Sequence, residues 1–154
     1  MNYVCLFFNE IMESINKKIK LNLVSKNDIR FLYCMLKIRD PISRISHKKM
    51  PTFEQHKKFV LSKPYKFWYI IKFENKKIGS IYLSKQDEIG IFLKNEFQNK
   101  GISQYVLLTF IKIHPRPRFL ANVSPKNKIS QKFFQKHGFI HIQQTYELIN
   151  EQKI

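Results

Sequence analysis

The chain has 154 residues, 44% of them hydrophobic and 14% aromatic, and 28 Lys and Arg against 11 Asp and Glu give a formal net charge of +17. That length fits one domain with a real apolar core, while the aromatic content excludes disorder and only 4 Gly and 6 Pro exclude a collagen-like or linker sequence. No apolar run approaches the roughly 20 residues of a membrane span, and Tyr3 to Phe8, with no basic residue before it and Glu10 and Glu13 after it, is not patterned as a signal peptide.

Lys18 to Val24 alternates, with Ile19, Leu21 and Leu23 against Lys18, Lys20 and Asn22, which predicts a first strand. Ser25 then offers an N-cap with Asp28 three residues on. Ile29, Leu32, Tyr33 and Leu36 follow at helical spacing, and that helix must end before Pro41. After a loop, Thr52 and Gln55 mark a second capping box, with Phe53, His56, Phe59 and Val60 on one helix face as far as Ser62. Phe67 to Phe73, Ile78 to Leu83 and Ile89 to Leu93 predict an antiparallel meander, with turns at Glu74–Lys77 and around Gln86-Asp87.

A polar connection from Lys94 to Lys100 reaches Gly101 and a helical stripe of Ile102, Val106, Leu107, Phe110 and Ile111, stopped by Pro115 and Pro117. Phe119 to Val123 suits a buried strand, and Asn127 to His137 a helix whose left-handed cap is Gly138. Phe139 to Ile142 and Thr145 to Ile149 complete the pattern as closing strands. The fold class is therefore α/β, a mixed and mostly antiparallel sheet feeding one strand–helix–strand crossover. Residues 17–154 read as a single domain. Residues 1–16 read as an N-terminal extension, either an added amphipathic helix or sequence preceding a true start at Met12.

Cys5 and Cys34 have no metal-ligand spacing and form no framework, so no metal is expected and a reducing cytoplasm is the default location. The charge admits two readings. Lysine together with abundant Ile, Asn and Phe is what an AT-rich coding bias produces, giving a solvated surface. The alternative is attraction for anions: nucleotide phosphates, RNA or an acidic membrane face.

One segment carries specific chemistry. Ile89 to Leu93 runs through a short polar loop into Gln98-Asn99-Lys100-Gly101-Ile102-Ser103, the opening of a helix. A helix start leaves about four backbone N–H groups unpaired and its dipole favours negative charge. A glycine there lets a phosphate approach the backbone. The plain alternative is a tight loop before an ordinary helix.

Gln98-x-x-Gly101-x-Ser103 resembles the acetyl-coenzyme A signature of the GNAT N-acetyltransferases, with serine at the last small position. Asn122 to Asn127, Ser130, Phe133-Phe134 and Gly138-Phe139 resemble that family's closing segment, and the order of elements matches over about 130 residues. The resemblance implies that the strand before the turn and the strand after the helix splay apart, with helices on both sheet faces and the pantetheine arm of acetyl-CoA in the gap. Backbone at Phe92 and Leu93 would pair with that arm. Amides from Asn99 through Gly101 and Ile102 to Ser103 would hold the pyrophosphate, Lys100 would add a charge, and Asn127 would touch the arm from the other side.

The acceptor half bears a narrower likeness. Leu36 to Ser43 and Thr52 to Phe59 resemble segments of acetyltransferases acting on nucleotide-linked 4-amino sugars in pseudaminic acid synthesis, although Ile38 and Asp40 replace that group's tryptophan and asparagine. Ribosomal-protein and aminoglycoside acetyltransferases share similar helix patterns. Arg39 suits a phosphate or sugar clamp because its fork donates two parallel hydrogen bonds, or it simply ends a helix. His56 suits an acceptor-facing base, or a buried histidine between Phe53 and Phe59.

The expected reaction is transfer of an acetyl group from acetyl-CoA to a primary amine. Glu88, at the start of the strand bearing the thioester, is the first candidate base, with an exposed turn carboxylate as the alternative. A strand N–H near Phe92 would hold the oxyanion. The family's proton-donating tyrosine corresponds to Phe134, which has no proton to give, and Tyr105 and Tyr146 are not placed by the sequence. The acceptor is expected to be a small amino sugar. A protein amine or aminoglycoside is the alternative within the class, and a catalytically impaired nucleic-acid-binding module is the alternative outside it. Monomer and homodimer both remain open.

Overall fold

The computed structural model describes residues 13–43 and 49–148. Four strands, β1 (Ile19–Leu23), β2 (Phe67–Phe73), β3 (Lys76–Leu83) and β4 (Ile89–Leu93), form an antiparallel sheet in that order. Helices α1 (Ile29–Ile38) and α2 (Phe53–Leu61) fall between β1 and β2, and α3 (Ile102–Ile113) and α4 (Lys128–Lys136) follow β4. Both capping boxes form. Ser25 and Asp28 exchange side-chain and backbone bonds ahead of α1, through a 3-10 turn at Lys26–Asp28, and Thr52 and Gln55 do so ahead of α2. Asn127 caps α4 by accepting from the Ser130 N–H, and Gly138 takes φ +84° after it.

The turn between β2 and β3 consists of Glu74 and Asn75, both at positive φ (46° and 69°). Two such residues match the right-handed twist of the flanking strands. A bulge then shifts the pairing, so that Ile71 opposes Gly79 while Lys72 opposes Lys77. The shift brings Lys77 to within 2.7 Å of Asp28, an ion pair that ties the sheet to the start of α1.

Consecutive residues of β2 face opposite ways. Ile71 packs with Ile81, Leu83, Ile89 and Leu93 against Val106, Leu107 and Phe110 of α3. Ile70 packs with Ile29, Leu32 and Val60 from α1 and α2 on the other face. The sheet is thus covered on both sides, which gives the expected α/β class with its mostly antiparallel sheet. At the N-terminal end, residues 13–18 are helical and Ile15, inside the expected extension, is buried in the α3-side core. Residues 1–12 lie outside the described residues.

Two expectations are corrected. Phe119 to Val123 is not a strand: it meets β4 through a single parallel bridge, Glu88 with Leu120. The segments Phe139 to Ile142 and Thr145 to Leu148 form no strand either, and Ile140, Ile142, Tyr146 and Leu148 are between 65% and 88% exposed. Ile149 lies outside the described residues. Alternation marks a two-faced segment, but a strand also needs a neighbour with unpaired backbone. Among the described residues Leu120 makes only one bridge to β4, so Phe119 to Val123 builds no strand on which those segments could pair.

Candidate active site

The site starts from the free edge of β4. The Ile89 N–H donates to the Leu120 carbonyl at 2.7 Å, and the Leu120 N–H to the Asp87 carbonyl at 2.9 Å. No further backbone bond among the described residues joins the two segments, so they part after Leu120. The Lys94 N–H donates to the Ile78 carbonyl, which makes Gly79 and Leu93 a non-hydrogen-bonded pair. Antiparallel pairs alternate. Phe92 therefore exchanges its backbone bonds with Ser80, while the N–H and C=O of Ile91 and Leu93 point into the opening. This corrects the expectation for Phe92: its backbone is committed to β3, and the open groups are the N–H and C=O of Ile91 and the N–H of Leu93. The Leu93 carbonyl is met by the Gln98 side chain at 2.9 Å, so Gln98 closes the loop below the phosphate turn.

Next comes the turn itself. Asn99 and Gly101 stand at φ +57° and +77°, and Gly101 is the N-cap of α3 with no side chain capping it. Among the described residues no hydrogen bond occupies the N–H groups of residues 99 to 103. Ile102 is 2% exposed and anchors the helix start in the core, so that the amides of Ile102 and Ser103 are presented on fixed backbone. Lys100 is exposed and rests over the Phe97 ring at 5.9 Å. Residues 13–18 back this turn: Asn16 accepts from the Tyr105 hydroxyl at 2.5 Å, and a Cβ on Gly101 would lie 3.4 Å from Ile15.

The α1/α2 face of β4 carries the side chains. Glu88 accepts from Asn122 Nδ2 at 2.7 Å and from Ser84 Oγ at 3.3 Å, and Ser84 Oγ in turn accepts the Glu88 N–H. Tyr82 lies across Gly90, where a Cβ would come within 2.2 to 2.4 Å of its ring and hydroxyl. Tyr65 stacks on Tyr82 at 3.9 Å and 10°. Burial raises both phenols above their ordinary range; the hydrogen bond between the two hydroxyls raises Tyr65 further and lowers Tyr82, the Arg39 charge lowers both, and the Glu88 charge raises both. Arg39 caps α1, donates to the Ser43 carbonyl at 2.9 Å, and places its guanidinium 6.0 Å from the Phe92 ring. Arg39, Glu88 and Phe92 are thus gathered around two tyrosines.

Asn127 links two elements. Its oxygen caps α4 and its nitrogen donates to Ser43 Oγ at 2.9 Å, which joins α4 to the turn after α1. His56 is not brought into this group. It is 6% exposed between α1 and α2, tilted against Tyr33 at 5.4 Å, and burial lowers its pKa, with an opposing contribution from the Ile29 backbone. Its stripe position between Phe53 and Phe59 turns it into the core rather than toward β4.

Phe134 is buried among Phe133 and Phe139. Tyr105 is engaged with Asn16, and Tyr146 is 88% exposed against Gln144. Sequence reasoning missed Tyr65, Tyr82, Ser84 and the bond from Asn122 to Glu88. A signal existed only for Gly90: a glycine inside a strand marks close approach by another group, here the cross-strand Tyr82. Among the described residues no group of His, Cys, Asp and Glu is arranged to hold a metal, and no helix is long and apolar enough to cross a membrane.

The model of the acetyltransferase (GNAT) family matches residues 32–139. The fold is similar to a domain from Methanocaldococcus jannaschii, at 23% identity and TM-score 0.70 over 84% of this chain and 93% of that one. It is similar to the ribosomal-protein α-N-acetyltransferase RimL in complex with coenzyme A, at 16% identity and TM-score 0.63 over 81% of each chain. A variant of the spermidine N-acetyltransferase SpeG from Vibrio cholerae aligns at 14% identity and TM-score 0.65 over 82% of each chain. No curated protein matches the sequence.

Proposed function

The chain belongs to the GNAT acetyltransferase family and is an acetyl-CoA-dependent N-acetyltransferase; we propose that its acceptor is a primary amine on a small amino sugar, nucleotide-linked forms included. The observation that carries the reading is the uncapped turn at residues 99 to 103 standing beside the one strand edge that opens after Leu120. The turn suits the diphosphate of acetyl-CoA, with Asn99, Lys100, Gly101, Ile102 and Ser103 as its holders; Gln98, expected among them, instead braces the loop, its N–H on the Asn95 carbonyl and its side chain on the Leu93 carbonyl. The edge at Ile91 and Leu93 suits the pantetheine amides. Asn127, tied to Ser43 beside Arg39, is the residue we assign to the other side of the arm.

The acceptor follows from the opposite face. Arg39 suits an oxygen-rich or anionic substituent near the amine, since its fork donates two hydrogen bonds. A net charge of +17 and an arginine at the cleft disfavour a polycationic acceptor. Glu88 takes the amine proton as the nitrogen attacks in this reading, which its orientation by Asn122 and Ser84 supports.

Differential scanning fluorimetry with acetyl-CoA tests the cosubstrate, since a ligand that binds only the folded state raises the melting temperature. Free-thiol release with amino sugars, nucleotide-linked amino sugars, peptide amines, aminoglycosides and spermidine tests the acceptor. Turnover confined to amino sugars supports the reading. Turnover confined to peptide amines, aminoglycosides or spermidine overturns the amino-sugar acceptor.

A further inference from the structure

Tyr82 reaches from β3 across β4. The atoms nearest a Cβ built on Gly90 are its Cζ at 2.2 Å, its Cε1 at 2.3 Å and its hydroxyl oxygen at 2.4 Å. The outer end of the ring therefore lies over Gly90, which opposes Tyr82 in the register. The next peptide unit is Gly90–Ile91, and its N–H is the first on β4 to point into the opening beyond Leu120. A side-chain O–H and a backbone N–H thus flank the same residue, Gly90, at the apex of the cleft.

We infer that the Tyr82 hydroxyl and the Ile91 N–H form a two-donor oxyanion site for the thioester carbonyl. The inference rests on the acetyl-transfer reading and on the thioester lying along the β4 edge; it does not depend on which amine is the acceptor. The other described tyrosines near the core are occupied elsewhere: Tyr33 donates to the Pro51 carbonyl, Tyr69 meets His114, and Tyr105 meets Asn16. Tyr65 stacks on Tyr82 and its hydroxyl donates to the Tyr82 oxygen, which leaves the Tyr82 proton to be donated onward. Because both phenols titrate above their ordinary range, the Tyr82 hydroxyl stays protonated where the enzyme works, as an oxyanion donor must.

The chemistry balances without a further reagent. The amine nitrogen forms its bond to the carbonyl carbon, and the C=O pair moves to the oxygen, held by Tyr82 and Ile91. Glu88 takes the proton from nitrogen. The oxygen pair then re-forms C=O, the C–S bond breaks with its pair on sulfur, and the proton passes from Glu88 through water to the thiolate. Tyr82 donates throughout and loses no proton.

Tyr82→Phe tests this, because it keeps the ring packed on Gly90 and removes only the hydroxyl. Removing one such donor costs roughly a hundredfold or more in kcat. The expected result is a kcat loss of that order with whichever amine is turned over, while the melting temperature, the acetyl-CoA thermal shift and the KM for acetyl-CoA hold. Infrared spectra of carbonyl-labelled acetyl-CoA supply a readout that needs no acceptor: the bound C=O band falls in the native protein and moves back toward its solution position in Tyr82→Phe. A kcat within threefold of native, or the same bound band in both proteins, overturns the inference. Failure of acetyl-CoA to shift the native melting temperature would instead be a failure of the acetyl-transfer reading, and a different preferred amine a failure of the amino-sugar reading alone.

Discussion

Asn122 donates to the Glu88 carboxylate at 2.7 Å, a bond that spans the cleft between β4 and the segment leaving Leu120. The contrast with other carboxylates gives it meaning. Asp28, Glu54, Glu74 and Asp87 are each paired with a lysine or arginine. Glu88 is instead oriented by the neutral donors Asn122 and Ser84, so its charge is not spent on a cation. Replacing it should remove the base and leave the cofactor side intact. Glu88→Gln is expected to lower kcat by roughly 10²- to 10⁴-fold with an unchanged acetyl-CoA thermal shift. Asn122→Ala, which only loosens the carboxylate, should cost about tenfold. Steady-state kinetics with thiol release checks both.

Gly101→Ala should hurt binding before chemistry. Space is not the difficulty, since the nearest atom to a new Cβ is Ile15 Cδ1 at 3.4 Å. The difficulty is φ +77°, where a side chain costs about 1–2 kcal/mol. Relaxing that angle swings the amides of residues 101 to 103 off a common centre. The expected outcome is a lower melting temperature and an acetyl-CoA KM raised at least tenfold, with the acceptor KM little changed.

Gly90→Ala should act through Tyr82. A Cβ 2.2 Å from the Tyr82 ring leaves no room, so the ring must swing off β4. Activity should fall by at least as much as in Tyr82→Phe. In the Tyr82→Ala background the added methyl meets no ring, and its effect on melting temperature should shrink. A double-mutant cycle by thermal denaturation reads that coupling.

Acid should weaken the α1–α2 packing through His56. Burial lowers its folded pKa, so the folded protein resists a proton that the unfolded chain accepts. The stabilisation is therefore fully present above the unfolded value of about 6.5 and is lost as pH falls through the folded value. Urea midpoints measured from pH 7.5 down to 5 should decline in the native protein and decline less in His56→Leu.

Asp28 should be a costly acid to remove. Its carboxylate caps the turn before α1 and meets Lys77 at 2.7 Å, and it is 6% exposed. Burial alone would raise its pKa, but the bonds from Lys77 and Ser25 outweigh that and hold it below the ordinary value. Asp28→Ala is expected to cost about 3 kcal/mol, because Lys77 is left without its partner in a partly buried place. Chemical denaturation measures it.

Helix starts and the meander were legible because each is a local event. Ser25 with Asp28 and Thr52 with Gln55 each announce a cap within three residues, and both caps form. The strands β2 and β4 are readable from aromatic and β-branched runs bounded by turns. What was not legible depends on pairing. Whether Phe92 or Ile91 faces the cleft is decided by register against β3, which no single strand records. Tyr82 becomes a site residue only because Gly90 lies opposite it. Leu120 makes one bridge instead of a ladder because the arms diverge, and residues 139 to 148 have the composition of strands without an edge to join. His56 carried the right chemistry on a stripe that turns inward.

The joint at Leu120 behaves as a single rivet at the base of a wedge. Two backbone bonds hold it, and the Arg116–Asp87 ion pair braces it from below. Anything lodged between the arms pulls on that rivet, so occupancy is converted into tension there. Amide hydrogens between residues 114 and 124 should accordingly exchange at different speeds in the empty and the loaded enzyme, with the largest contrast at Leu120 itself.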